Sequence, residues 1–125
     1  MKGDKVVLVI GTNGDDNIGA AVARKFEKEG WDVITADING LTDVDMDVTN
    51  KESVNLIFKH IKHFYGRLDA VVPCHGVNIL GKIEDYPEEK WDKTIHINLK
   101  GLFLCLQHPN SVERILRRSL ICGIK

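Results

Sequence analysis

The chain reads as an α/β protein: a doubly wound parallel sheet of four strands in the order 3-2-1-4, with helices on both faces. Three observations lead there. Strand-like and helix-like segments alternate along residues 5–107, the pattern of a parallel sheet with crossover helices. The first strand is apolar without interruption, as a strand covered on both faces is. A loop of Gly, Asn and Asp joins it to the first helix, and an aspartate closes the second strand.

In order, residues 5–11 form the first strand and Thr12-Asn13-Gly14-Asp15-Asp16-Asn17 the loop. A helix over 18–29 follows, with Ile18, Val22 and Phe26 spaced by four and Gly30 as its stop. The second strand spans 31–37, and after a turn over 38–41 a polar third strand covers 42–48. A right-handed crossover between parallel neighbours normally takes a dozen residues or more. So short a connection predicts either a tight irregular loop or poor pairing. Thr49-Asn50-Lys51-Glu52 has capping-box spacing, with Thr49 as N-cap and Glu52 reaching back. The helix it opens carries Val54, Ile57, Phe58, Ile61, Phe64 and Tyr65 on one stripe and ends at Gly66. Residues 68–74 make the fourth strand, whose outer edge is left open and apolar. A long helix then runs over about 87–107, with Pro87 in its first turn. His108-Pro109-Asn110-Ser111 breaks it. Residues 112–125 form either a short amphipathic helix, with Val112, Ile115 and Leu116 opposite Arg114, Arg117 and Arg118, or disordered chain.

Composition narrows the class. At 125 residues, 43% hydrophobic and 28% charged, the chain is one globular domain able to bury a core. Seventeen basic against eighteen acidic residues leave a net charge of −1, so neither a nucleic acid nor an anionic membrane is the expected partner. The apolar run at residues 6–10 is too short to span a membrane. Cys74, Cys105 and Cys122 are odd in number and far apart, which points away from a disulfide framework and towards a reducing cytoplasm. No metal site is expected: His60 and His63 lie opposite the apolar stripe of their helix, on a solvated face.

The first strand–loop–helix is where such a fold places a dinucleotide's pyrophosphate. Glycines let backbone approach the phosphates, and the helix N-terminus offers unpaired N–H groups and the positive end of its dipole. Asp15 and Asp16 read as helix-capping acids; turned inwards they would repel a phosphate. Asp37 closes the second strand 18 residues after Gly19, near the ~20-residue spacing of the acid that accepts the adenosine ribose hydroxyls. A 2′-phosphate ~4 Å from that carboxylate would cost up to about 4 kcal/mol at an effective dielectric of 20. No arginine follows in Ile38-Asn39-Gly40 to offset it, so NAD is expected over NADP.

Several segments together resemble the short-chain dehydrogenase/reductase family. Gly11, Gly14 and Gly19 are a looser form of its TGxxxGxG loop, with Asn17 at the middle glycine and two extra residues, similar to the longer loop of the enoyl-acyl-carrier reductase branch. Asp47-Val48-Thr49 resembles the family's Asp-Val-Thr, whose aspartate lies by the adenine. Leu68-Asp69-Ala70-Val71-Val72-Pro73-Cys74-His75-Gly76-Val77-Asn78 aligns with its "LDxLVNNAGxx", although Pro73, Cys74 and His75 replace Asn-Asn-Ala and Gly76 alone of those four remains. Trp91-Asp92-Lys93-Thr94-Ile95-His96-Ile97-Asn98-Leu99-Lys100-Gly101 looks very like its "W(D/N)xxxxxNLxG" helix, and is the most specific match.

The resemblance implies a Rossmann-like domain over residues 1–107, incomplete, with a divergent tail over 108–125. It implies a cofactor-binding set of Gly11, Asn13, Asn17, Ile18, Gly19, Asp37, Asp47, Val48 and Gly76, and Asn98 as the catalytic-site asparagine that holds a water in a proton relay. The family's serine and Tyr-xxx-Lys are not found. Tyr86-Pro87-Glu88-Glu89-Lys90 fits the count but precedes Asn98, and Pro87 leaves Tyr86 outside the helix. His75, in a loop near the cleft, is a minor acid–base candidate. A shortened or frameshifted gene product would read this way.

Three functions follow from the resemblance: an NAD-dependent oxidoreductase acting on a carbonyl or secondary alcohol, a non-catalytic dinucleotide-binding module, or an inactive remnant. Self-association or a partner chain through the open fourth strand is also expected. A flavodoxin-like receiver is the structural alternative, and Asp37 and the Asn98 helix speak against it.

Overall fold

The structure, a computed structural model, describes residues 5–38 and 40–107. Four parallel strands form one sheet: β1 (Val6–Ile10), β2 (Asp32–Asp37), β3 (Val44–Asp45) and β4 (Ala70–Pro73), in the order β3-β2-β1-β4. That is the expected order. Leu8 of β1 sits between Ile34 of β2 and Val71 of β4. Every residue of β1 is buried, because helices cover both faces of the sheet.

The pleat of β1 sorts its side chains into two cores. Val6, Leu8 and Ile10 face Val54, Phe58 and Ile61 of α2 (Lys51–Tyr65), together with Leu104 and Cys105. Val7 and Val9 face Ala23 of α1 (Ile18–Lys28), with Ala70 and Val72 beside them. The buried face of α1 is therefore Gly19, Ala20 and Ala23 rather than the expected Ile18, Val22 and Phe26. Helix and strand approach so closely that small residues occupy the contact, while Val22 and Phe26 pack at its margin. Asn17 caps α1, its Oδ1 accepting from Ala20 N at 2.7 Å. Asp15 and Asp16, expected as caps, are exposed in the loop before it.

The third strand shrinks from seven expected residues to the two of β3, which pair with Ala36 and Asp37. The connection is a tight loop pinned to β2: the Asp43 carboxylate accepts from Thr35 N at 2.9 Å and from Thr35 Oγ1 at 3.0 Å. The N-cap of α2 is Asn50, not Thr49. Asn50 Oδ1 takes the N–H groups of Glu52 and Ser53, whereas the Thr49 hydroxyl turns back to Asp47 Oδ1 at 2.6 Å. Phe64 and Tyr65 leave the expected stripe for solvent, and Phe64 stacks on His60 with centroids 4.3 Å apart.

The long helix is a run of three segments: α3 (Glu88–Ile95), a π-helical turn (His96–Lys100) and α4 (Gly101–Leu106). At the π turn the Gly101 N–H reaches back five residues to the His96 carbonyl, which denies Ile97 its α-helical donor. Among the described residues β4 pairs with β1 alone, so its outer edge is open. No helix among the described residues is long and apolar enough to cross a membrane. The expectations for residues 108–125 lie outside the described residues.

Candidate functional site

The C-terminal ends of the strands surround a cavity of about 570 Å³, within the range of small-molecule sites. It lies where the chain order reverses between β1 and β4, the crevice in which open α/β sheets bind ligands. Gly11, Asn13, Asn17, Ile18, Asp37, Asp47, Val48, Gly76 and Asn98 all line it. Gly19 does not. It serves from beneath, since a Cβ there would collide with the Gly11 carbonyl oxygen.

Gly11 is equally constrained. Its φ is +85°, and a Cβ would stand 2.5 Å from His75 N. Just past the paired ends of β1 and β4, Gly11 and the Cys74–His75 peptide thus lie at backbone distance, and α1 starts directly behind them. The loop is tied to β2 by Asp37, whose Oδ2 accepts from Asn13 N at 2.8 Å while Oδ1 accepts from Ile38 N at 2.7 Å. A carboxylate has about four acceptor positions, so both oxygens keep capacity for a ligand. Asn17 Nδ2 donates to the Asn13 carbonyl and closes the loop on itself. The N–H groups of Ile18 and Gly19, at the start of α1, bond to no described residue.

Asp47 lines the cavity beside Val48. Its Oδ1 accepts from Thr49 N and Oγ1, and its own N–H donates to Ser53 Oγ at 2.9 Å. Across the cavity, Asn98 projects from the π turn and clamps Val77: Oδ1 accepts from Val77 N at 2.8 Å and Nδ2 donates to Val77 O at 2.9 Å. Gly76 is small because Asn98 Oδ1 is 3.3 Å from where its Cβ would be. Each end of the Asn98 amide retains one further hydrogen-bonding position.

His75, at the position where the family has a small residue, is a cavity residue whose ring turns away into the wall. Its Nε2 lies 3.1 Å from the position of a Cβ on Gly101, with Val48 on the other side. Both ring nitrogens are closed off from solvent; neither makes a hydrogen bond of full geometry, and the Ile97 main chain lies near enough to act on the ring. Burial lowers its pKa from the ordinary 6.5; the nearby Ile97 main chain and the Asp37 charge act the other way but do not reverse this. Tyr86, set outside the helix by Pro87, donates its hydroxyl to the Ile79 carbonyl at 2.6 Å and is not paired with Lys90. His96 is exposed, and no group of three metal-binding side chains assembles among the described residues.

Sequence reasoning missed the wall formed by Thr49, Val77, Ile97 and Leu102. Gly101 carried the one available signal, a small residue three positions after Asn98. Its reason is spatial: a Cβ would stand 2.8 Å from Val48 Cγ2.

Residues 11–119 match a family model described as enoyl-(acyl carrier protein) reductase, one of the short-chain dehydrogenase/reductase models, so the match extends into the segment set apart above as a tail. The chain is 38% identical over 117 residues to an NAD-dependent glycerol dehydrogenase of Listeria innocua, covering 83% of this chain and 45% of that one. Among solved structures it superposes on the ligand-free aldohexose dehydrogenase of Thermoplasma acidophilum with a TM-score of 0.81 at 30% identity, over 95% of this chain and 49% of the other. A short chain dehydrogenase from Mycobacterium smegmatis gives a TM-score of 0.76 at 29% identity, over 85% and 50%. The chain spans about half the length of the curated relatives it matches. It belongs to the short-chain dehydrogenase/reductase family.

Proposed function

We propose that this chain is the dinucleotide-binding half of an NAD-dependent oxidoreductase acting on a carbonyl or secondary alcohol. The observation that carries the reading is the cradle: Gly11 and Gly19 admit no Cβ, and Asp37 stands over the same cavity. The residues fit a dinucleotide. The start of α1 and its free N–H groups would hold the pyrophosphate, and Asp37 would accept from the adenosine ribose hydroxyls. Asp47 and Val48 would flank the adenine. When bound, the nicotinamide ring supplies the hydride donor or acceptor of the reaction. Asn98, with one donor and one acceptor position left, would hold the water of a proton relay.

The preference for NAD rests on charge. Among the described residues no lysine or arginine lines the cavity, and Asp37 would face a 2′-phosphate. A second reading, a non-catalytic binding module, is favoured by a different observation. Tyr86 is committed to Ile79 and the His75 nitrogens are closed off, so neither is placed to move a proton in the cavity. The open β4 edge would be covered by a partner chain or a second copy. Cys74 and Cys105, which form no disulfide among the described residues, suit a reducing compartment such as the cytoplasm.

Calorimetric titration of the 125-residue chain with NAD and NADP, alongside Asp37→Ala, tests this. Saturable NAD binding is expected, at least about tenfold tighter than NADP and weakened in the variant, as repulsion of up to about 4 kcal/mol allows. Equal affinity for NADP would reject the cofactor preference, and no binding by a folded chain would reject the reading.

A further inference from the structure

The loop after β1 holds an asparagine followed by a glycine, Asn13-Gly14. An asparagine is chemically stable as long as its side-chain carbon stays away from the main-chain nitrogen of the next residue. A side chain on that residue, a hydrogen bond holding the amide, or exclusion of water can each keep them apart or idle. None of these protects Asn13. Gly14 is exposed and carries no Cβ, and one built there would meet nothing nearer than Asn17 Nδ2 at 3.7 Å. The Gly14 N–H bonds to no described residue. The Asn13 side-chain amide is equally free among the described residues. Its main chain makes every bond the residue has, N–H donating to Asp37 Oδ2 and the carbonyl accepting from Asn17 Nδ2. Asn17 is the contrast within the same loop: both ends of its amide are bonded, and the branched Ile18 follows it.

We propose that Asn13-Gly14 is a site of spontaneous modification, at which the Gly14 nitrogen attacks Asn13 Cγ and the loop acquires a carboxylate. Water or hydroxide takes the Gly14 N–H proton as the new N–Cγ bond closes a cyclic imide. The Cγ–Nδ2 bond breaks, and ammonia leaves with the amide nitrogen. Water then opens the imide at either carbonyl, giving an aspartyl or an isoaspartyl link at position 13. The net charge falls by one from −1. Asn13 lines the cavity, so the new carboxylate stands where a phosphate would approach and repels it. In the isoaspartyl form the main chain also gains a carbon between the Asp37 tether and α1. The modification therefore closes the cavity to phosphate-bearing ligands. That consequence rests on the dinucleotide reading above; the modification itself does not.

The test is ageing of the 125-residue chain in mildly alkaline buffer, folded in one sample and in urea in another, followed by peptide mapping with mass spectrometry. Mapping separates position 13 from the chain's other Asn-Gly pair, Asn39-Gly40, and circular dichroism shows that the first sample stays folded. Position 13 is expected to convert in the folded chain within about tenfold of its rate in urea, with Asn17 left intact. A folded rate more than about tenfold below the unfolded one would mean that the loop holds the side chain away, and overturns the proposal. Conversion of Asn17 at a comparable rate in the folded chain overturns it as well. Calorimetry with NAD then compares fresh and aged chain, with Asn13→Gln aged alongside. Affinity is expected to fall at least about tenfold in the converted chain, while ageing takes nothing further from the variant. Conversion without that loss overturns the closing of the cavity. A fresh, folded chain that binds no NAD rejects the dinucleotide reading and leaves the modification standing.

Discussion

His75 shows how one substitution alters a site without removing it. A small side chain there would leave the wall beside Gly101 to packing alone; the imidazole brings two polar atoms closed off from solvent into it. Burial favours the neutral ring, so its folded pKa lies below the ordinary value of 6.5. The sign of the linkage follows. The unfolded chain takes up the proton first, and the stability the neutral ring permits is full above that value and is lost as pH falls through the lower, folded one. Asp37 and Asp47 from the β2–β3 side and the Cys74 thiol beside it are the other titratable groups lining the same cavity, while the π turn presents Ile97 and Asn98, both neutral. The urea midpoint is therefore expected to decline as pH falls below about 6.5, and His75→Gln to flatten that decline. An unchanged slope in the variant would place the acid sensitivity elsewhere. Cys105 adds nothing in this range, since burial pushes its thiol up to about 12.

At the scale of the element, the π turn decides where Asn98 points. Thr94 precedes it with a hydroxyl bonded to the Lys90 carbonyl at 2.8 Å, and Gly101 follows with no room for a side chain. Between them the helix takes one residue more per turn, and Asn98 reaches the loop after β4 instead of continuing the helical stripe. Removing its amide strands the N–H and carbonyl of Val77. Asn98→Ala is expected to cost about 2–4 kcal/mol, two part-buried partners at about 1–2 each, read as a lower denaturation midpoint. A loss below about 0.5 kcal/mol would mean that water replaces the clamp. Helix ends were less legible than helix centres. The capping-box spacing pointed to Thr49, but Asp47 competes for its hydroxyl and the next residue, Asn50, caps instead. The apolar stripe of α2 was legible to Ile61, beyond which Phe64 and Tyr65 turn to solvent.

For the whole molecule, the sheet is closed on one side and open on the other. β3 is a two-residue edge that its own loop pins, whereas β4 exposes its ladder with no described residue beside it. Apolar surface is exposed elsewhere too: Trp91, Leu99 and Phe103 on the α3–α4 run are 57%, 55% and 54% exposed. An unpaired strand and a helix apolar on both faces favour association. Sedimentation of the chain at roughly tens of micromolar is expected to give species larger than a monomer, increasing with concentration. A single monomeric boundary across the range would contradict this.

What the sequence determined by itself is order and type. The alternation of apolar strands with stripe-bearing helices specified a parallel sheet, because burial on both faces requires that pattern of residues, while its strand order and the end where a ligand sits came with the resemblance carried by Asp37 and the Asn98 helix. The individual positions Gly11, Asp37 and Asn98 were legible too, Gly11 and Asp37 from a glycine loop and a strand-end acid at their spacing and Asn98 from the motif its helix resembles. The tertiary structure decided what depends on partners distant in the chain: that Asn17 and not Asp15 caps α1, that β3 is two residues long, that Asn98 is held by Val77, and that the His75 ring turns into the wall. Each is a competition between neighbours brought together by packing, and packing distances are not written in local spacing.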